Sequence, residues 1–181
     1  MLQLFALLIA CNDHPDVVLL TIDTLRFDHV SAYTDDSPAK TPALDALALD
    51  GVLFTQAYSP ISVTGPAFVS LMTGMDITGH KVTMNVFRGG VSLAQEEETL
   101  AERFKEKGYR TGAFVSGFTL RPTLGLSQGF DVYDYPQNNQ SRRWGNVTSR
   151  YARKWLQLDD AKTFLWYHTY DAHGPWTKWG E

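Results

Sequence analysis

The sequence predicts an α/β fold, a mostly parallel sheet with helices on both faces. Three observations carry that expectation. Val17–Ile22 is a continuous apolar run rich in β-branched residues, the pattern of a strand buried on both faces. Helix signals fall between such runs, including a capping box at Thr99 and stop glycines at Gly51, Gly74 and Gly108. Polar residues gather just past strand ends or at a helix start, namely Asp23, Thr64, Asp171 and His173. The carboxyl edge of an open α/β sheet is where ligands bind.

Each element has its own local argument. Val17–Ile22 is the first strand, and it ends on Asp23. Thr41-Pro42 opens a short amphipathic helix through Leu44, Leu47 and Ala48 that stops at Gly51. Val52-Leu53-Phe54 reads as a short strand. Thr64-Gly65-Pro66 opens an apolar helix that ends at Gly74. There Thr64 is either an N-cap or a reactive hydroxyl held where outward backbone N–H groups favour anions. Residues 75–98 read as loop. The Thr99-Leu100-Ala101-Glu102 box starts a helix to about Lys107, and Arg110–Ser116 reads as a strand. Residues 117–143, with Pro122, Gly125, Gly129 and Pro136, read as a loop-rich insertion. Asn146 then caps a helix that carries Val147, Tyr151, Trp155 and Leu158 at helical spacing. Lys162–Thr169 is the last strand, with His168 inside it as a satisfied core histidine. Tyr170-Asp171-Ala172-His173-Gly174-Pro175 forms a polar turn after it.

Size and composition narrow the class. A chain of 181 residues suits one core, and 44% hydrophobic with 20% charged residues describes a folded domain. A net charge of −4 gives no basic field, so nucleic acid is not an expected partner. The single cysteine, Cys11, excludes an intrachain disulfide. Leu2–Ala10 is apolar but too short to span a bilayer, and it suits the apolar part of a secretion signal. Leu8-Ile9-Ala10-Cys11 resembles the bacterial lipoprotein box, although no Lys or Arg precedes the run. Residues 1–11 are therefore read as a signal with Cys11 as the lipidation site. The expected location is the bacterial cell envelope, on the periplasmic or extracellular side, with the membrane reached through a lipid anchor. Residues 16–181 are read as the catalytic-type domain.

Taken together, these segments resemble the sulfatase family of the alkaline-phosphatase superfamily. The resemblance rests on Val17-Val18-Leu19-Leu20-Thr21-Ile22-Asp23, Thr41-Pro42 with Gly51-Val52-Leu53-Phe54, and Thr64-Gly65-Pro66 with Leu71-Met72-Thr73-Gly74. Thr99–Glu102 with Lys107-Gly108-Tyr109-Arg110, Gly129-Phe130-Asp131 and Tyr170–Pro175 continue it in the same order. It implies an alkaline-phosphatase/sulfatase-like fold and a metal-dependent hydrolase of sulfuric esters. It also implies that Asp23 and Thr64 hold a divalent cation, with Thr64 supplying the nucleophile and His173 assisting the leaving group. His80 and Asp171 would touch substrate. The cation is calcium for a sulfatase, or manganese or zinc for a phosphodiesterase-like relative. The substrate would be a small-molecule or glycan sulfate or phosphate ester.

Four features depart from the family pattern. Thr64 cannot become formylglycine, as the usual Cys or Ser does, and Phe68 stands where an arginine is usual. Val115-Ser116-Gly117-Phe118 replaces a Gly-Lys-x-His block, and Thr24 replaces a second aspartate. The remaining family metal ligands belong to a later Asp-His-Gly or Asp-Asn-Gly motif, so the domain is expected to be incomplete at its C-terminus. Activating a threonine hydroxyl is demanding, comparable to the shift from ~15.7 to ~7 for zinc-bound water. At ~1.4 kcal/mol per unit this is about 12 kcal/mol. A helix N-terminus offers ~2 kcal/mol at best, so the cation must supply most of it. Asp23, Thr64 and Asp28 fall short of the ~6–8 oxygens calcium takes, and the isolated chain is expected to be a weak catalyst. Three readings follow. They are a sulfuric ester hydrolase, a phosphodiester or phosphonate hydrolase or phosphoglycerol transferase with Thr64 as direct nucleophile, and a truncated non-catalytic envelope lipoprotein.

Overall fold

The computed structural model describes the backbone of residues 6–9 and the whole of residues 15–137 and 140–175. Cys11, His14 and Trp176 lie outside the described residues.

Five strands form one sheet in the order β1-β2-β5-β3-β4. They are β1 Ala6–Ile9, β2 Val17–Ile22, β3 Arg110–Val115, β4 Val132–Asp134 and β5 Thr163–Thr169. The pairs β2–β5, β5–β3 and β3–β4 are parallel, whereas β1 lies antiparallel on β2 with Ile9 opposite Val17. The sheet is thus mostly parallel with one reversed edge. The register sets Ile22 opposite Thr169 and Val115 opposite His168. Asp23, Ser116 and Tyr170 therefore leave the sheet side by side. At the other end, Asp16 Oδ1 accepts hydrogen bonds from Thr163 N (2.7 Å) and Thr163 Oγ1 (2.9 Å), locking β2 to β5 at their starts.

Among the described residues five α-helices flank the sheet: α1 Pro42–Asp50, α2 Thr64–Thr73, α3 Ile77–His80, α4 Leu100–Glu106 and α5 Gly145–Leu156. The period-2 alternation of β5 sorts its side chains between two layers. Phe164 and Trp166 face one core with Phe68, Val69 and Met72 of α2 and Ala101 of α4. Leu165 faces the opposite core with Phe114, Ala152 and Trp155. Helices therefore cover both faces, as expected. Phe164 stacks on Phe104 at 4.3 Å, and Trp166 meets Phe68 at 5.4 Å. On the other face Gly112 admits the Trp155 ring, which would lie 2.7 Å from a Cβ there.

Several local expectations need correction. Val52-Leu53-Phe54 is not a strand, since no strand among the described residues pairs with it and both Val52 and Phe54 are exposed. Helix α1 buries no residue, and Thr41 does not cap it; its hydroxyl joins Ser31 and Asp45 instead. Residues 75–98 contain α3, capped by the Asp76 side chain. The insertion at 117–143 holds the edge strand β4. Helix α5 turns Gly145, Thr148, Ala152 and Trp155 inward, while Tyr151 and Leu158 are exposed. The small residues let α5 lie close to the sheet, and Tyr151 stays at the rim under the Arg143 guanidinium, 4.9 Å away. The capping box at Thr99 forms as expected.

Candidate active site

Asp23 is fixed by the sheet itself. Its N–H donates to Thr169 O at 2.9 Å, which extends the β2–β5 ladder one step past Ile22. Thr24 follows with φ 56°, a left-handed conformation that a β-branched residue adopts only under strain of about 1–3 kcal/mol. That turn ends the strand directly behind the carboxylate, which is fully buried.

Thr64 is the first residue of α2, and the N-cap is Val63, without a side-chain cap. The hydroxyl is thus not capping the helix. It donates instead toward Asp23 Oδ1 at 3.5 Å, from a side chain that is itself buried. The capping task falls to Asn85, whose Oδ1 accepts from Gly65 N at 2.8 Å. A Cβ on Gly65 would lie 2.6 Å from that oxygen, so a glycine beside Thr64 is what permits the contact. Asn85 is twenty positions away, and no local sequence signal marks it.

The other oxygen of Asp23 faces His168. Asp23 Oδ2 and His168 Nε2 are 3.5 Å apart, and both side chains are buried. Neither atom has a hydrogen-bond partner, and His168 Nδ1 has none either. His168 is therefore a core histidine, but not a satisfied one. Phe68 packs edge-on against it at 5.1 Å and 81°, and Trp166 lies at 6.3 Å. The family's arginine position is thus filled by an aromatic wall. No Lys or Arg among the described residues pairs with Asp23. A buried carboxylate oxygen left without a partner costs about 1–3 kcal/mol or more. An orphaned oxygen beside an orphaned imidazole nitrogen is a donor set that fits a divalent cation. No group of three or more His, Cys, Asp or Glu residues gathers around one point among the described residues.

Tyr170 and His173 continue the row. Tyr170 N donates to Ser116 Oγ at 2.6 Å, and burial, reinforced by the Asp23 charge, pushes its phenol up to about 12. Its ring lies 6.1 Å from that of His168 and stacks flat on His173 at 4.3 Å and 12°. His173 Nδ1 is 2.5 Å from Gly174 O, a carbonyl that can only accept, so Nδ1 carries a proton and donates it there. Arg142 clamps this turn, donating to His173 O at 3.1 Å and Pro175 O at 3.0 Å.

Three expected contributors are engaged elsewhere. Both ring nitrogens of His80 are occupied. Nδ1 accepts from Val82 N (3.1 Å), which leaves Nε2–H to donate to Ser70 Oγ (2.8 Å). Ser70 lies about 9 Å along α2 from Thr64 at ~1.5 Å per residue, so His80 pins the far end of the helix. Burial lowers its pKa. The Asp171 carboxylate caps α5, accepting from Gly145 N at 2.9 and 3.1 Å. It positions the His173 turn against that helix. Asp28 sits in an exposed turn, chelated by Arg26 at 2.6 Å and beside His29 at 3.0 Å, and makes no bond to Asp23 or Thr64. The Arg26 pairing holds it well below the usual carboxylate range.

The chain has relatives among known proteins. The sequence profile of the Sulfatase family matches residues 15–179. The chain belongs to the sulfatase family. An ulvan-active sulfatase of Formosa agariphila is 38% identical over 171 residues, covering 83% of this chain and 32% of the relative. Human arylsulfatase A is 36% identical over 106 residues, covering 54% of this chain and 20% of the relative. The chain thus spans a third or less of the length of these curated relatives. Among solved structures, a protein in complex with its substrate D-glucosamine-2-N,6-O-disulfate superposes with a TM-score of 0.78 at 17% identity, covering 91% of this chain and 36% of that one. Phosphonate monoester hydrolase of Agrobacterium radiobacter superposes with a TM-score of 0.70 at 22% identity, covering 89% and 42%. At such identities the likeness is one of fold, and that fold is the alkaline-phosphatase/sulfatase one. Members of this family and superfamily use divalent metals.

Proposed function

We propose that this chain carries the nucleophile half of a sulfuric ester hydrolase, with Thr64 attacking the sulfur of a small-molecule or glycan sulfate ester. The single observation behind the reading is the buried Thr64 hydroxyl directed at Asp23 Oδ1 from the first turn of α2. Asp23 and Thr64 would hold a divalent cation, calcium in a sulfatase-type site and manganese or zinc in a phosphodiesterase-type one. When bound, that cation supplies the positive charge that lowers the pKa of the Thr64 hydroxyl and offsets the ester's negative charge. The protein's own residues do the rest. Asp23 Oδ1 orients the hydroxyl proton. Asn85 anchors the helix end that carries Thr64. Phe68 and Trp166 exclude water from behind the carboxylate. His173 Nε2, free of the Gly174 contact, is the group that exchanges a proton with the leaving oxygen.

Arg142 links this turn to a cavity of about 650 Å³ lined also by Arg143, Trp144 and Tyr151. One observation favours a second reading. Thr64 cannot form formylglycine and Phe68 supplies no positive charge, so a direct threonine nucleophile acting on a phosphodiester or phosphonate, or in phosphoglycerol transfer, is the alternative. A non-catalytic lipoprotein is the third. Anchoring through Cys11 at the cell envelope remains part of the proposal.

The test compares aryl sulfate and bis-aryl phosphate turnover by the chain, and by any longer product of the same reading frame. Sulfate turnover abolished by Thr64→Ala supports the first reading, and phosphate preference supports the second. Turnover that survives Thr64→Ala overturns both. The isolated chain, with so few cation ligands, is expected to turn over weakly.

A further inference from the structure

We propose that Tyr170, seated against Gly117, is the positioning residue of the leaving-group side, its ring holding the His173 imidazole in the orientation for proton exchange. The inference rests on His173 as the proton-exchanging group of the proposed function, and it adds the residues that aim it.

The end of β3 departs from the family pattern, and its small side chains both serve Tyr170. Ser116 Oγ accepts from Tyr170 N at 2.6 Å. Gly117 makes room for the ring. A Cβ there would lie 2.8 Å from Cδ2, 3.1 Å from Cε2 and 3.3 Å from Cγ of Tyr170. The Gly117 backbone is ordinary extended chain, with φ −111° and ψ 134°. Any residue adopts that conformation, so the glycine answers to the ring and not to a turn. A side chain at this position would drive the Tyr170 ring away.

The seated ring then carries His173. The two rings stack at 4.3 Å and 12°, and His173 N donates to Tyr170 O at 3.1 Å. The same strip of chain holds the main chain of the turn. Gly117 bridges to Arg142, whose guanidinium donates to His173 O and Pro175 O. The contact of His173 Nδ1 with Gly174 O fixes one point of the imidazole. One hydrogen bond leaves a ring free to swing about it, and the flat stack on Tyr170 removes that freedom. The phenol is not itself the proton carrier. Burial, reinforced by the Asp23 charge, pushes it up to about 12, so it stays neutral. The Tyr170 ring also lies 6.1 Å from that of His168, which faces Asp23. Tyr170 thus stands between the carboxylate side of the site and the leaving-group histidine.

The test is a double-mutant cycle at Tyr170 and His173, run on two esters of the acid that the longest product of the reading frame hydrolyses. One ester releases 4-nitrophenol, a good leaving group, and the other a sugar alcohol, a poor one. Only the poor leaving group depends on a proton from His173. Tyr170→Leu should therefore lower kcat on the sugar ester by at least ~10-fold more than on the nitrophenyl ester, with KM on the sugar ester within about twofold. Tyr170→Phe, which keeps the stack, should rescue that loss. In the His173→Ala background, Tyr170→Leu should cost nothing further, because the two act as a unit. Gly117→Ala should reproduce Tyr170→Leu, and it carries the test if the leucine variant fails to fold. Proton NMR gives a readout free of turnover. The His173 ring protons should be shifted upfield by the Tyr170 ring, with the shift lost in Tyr170→Leu and kept in Tyr170→Phe. Equal losses on the two esters, additive losses at the two positions, a phenylalanine variant as slow as the leucine one, or no upfield shift in the wild type would each overturn the inference. The proposed function fails differently, by turnover that survives Thr64→Ala or by none at all, and the NMR shift then decides whether Tyr170 holds His173.

Discussion

Asn85 and Gly65 form a couple whose energetics follow directly from the structure. Asn85→Ala removes the acceptor 2.8 Å from Gly65 N and leaves a buried N–H at the start of α2. Losing a helix cap costs about 0.5–2 kcal/mol, and orphaning a buried donor costs about 1–3. The expected destabilisation is about 1–2 kcal/mol. At ~2–4 °C per kcal/mol for a chain of this size, Tm should fall by roughly 2–8 °C. Gly65→Ala in the wild-type chain places a Cβ 2.6 Å from Asn85 Oδ1, with the next atoms at ordinary contact distances of 3.5 and 3.6 Å. That clash should cost about 1–3 kcal/mol. Once Asn85 is alanine, the obstacle is gone and Ala is the better helix former by up to ~1 kcal/mol. Gly65→Ala should therefore change sign, destabilising the wild type but neutral or stabilising in the Asn85→Ala background. A double-mutant cycle by urea denaturation measures this coupling, expected at about 1 kcal/mol or more. Additivity within ~0.5 kcal/mol would refute the proposed anchoring of Thr64 through Asn85.

Other consequences can be checked in parallel. Burial depresses the pKa of His80, so its neutral form is favoured in the folded state. The sign follows: its contribution is complete above the unfolded value of ~6.5 and is lost as the pH falls from there toward the folded value. Denaturation midpoints measured from pH 8 down to 5 should show this loss, and His80→Gln should flatten it; an unchanged slope argues against the assignment. Asp171→Ala should remove the cap of α5 at a cost of about 0.5–2 kcal/mol, visible as faster hydrogen exchange in its first turn. Protection equal to wild type would show that the cap is not needed. Leu49, Val52, Phe54 and Tyr58 are each more than two-thirds exposed or nearly so, a cluster of large apolar side chains in one segment. The isolated chain should bind a hydrophobic dye and self-associate at micromolar concentration, whereas a dye-silent monomer with a sharp melt would contradict this.

What the sequence disclosed and what it hid divide along physical lines. Signals carried by adjacent residues were legible. The β2 run, the Thr99–Glu102 box, the left-handed Gly74 after α2 and the polar turn after β5 each depend on their own neighbours. The placement of Asp23 was legible too, because a carboxylate ending a central parallel strand reaches one predictable edge. The misreadings arose where distant chain decides. Val52–Phe54 has strand composition but meets no partner strand. The inward stripe of α5 is set by the close approach of small residues to the sheet, with Trp155 received by the bare Gly112. The structural partners of His80 and Asp171, namely Ser70 and the N-terminus of α5, were likewise beyond local reading. Asn85 and His168 were missed for the same reason. Their partners lie twenty and one hundred and forty-five positions away, and only the fold joins them.

The central claim is that Thr64 is the atom-transferring residue of an ester hydrolase. It is tested most directly by rapid quench of the protein with an aryl sulfate and an aryl phosphodiester, followed by mass mapping of the peptides. The account predicts a sulfuryl or phosphoryl group on Thr64, formed and lost at the rate of turnover. Turnover with the modification on any other residue, or with Thr64 unmodified at every time point, would contradict it.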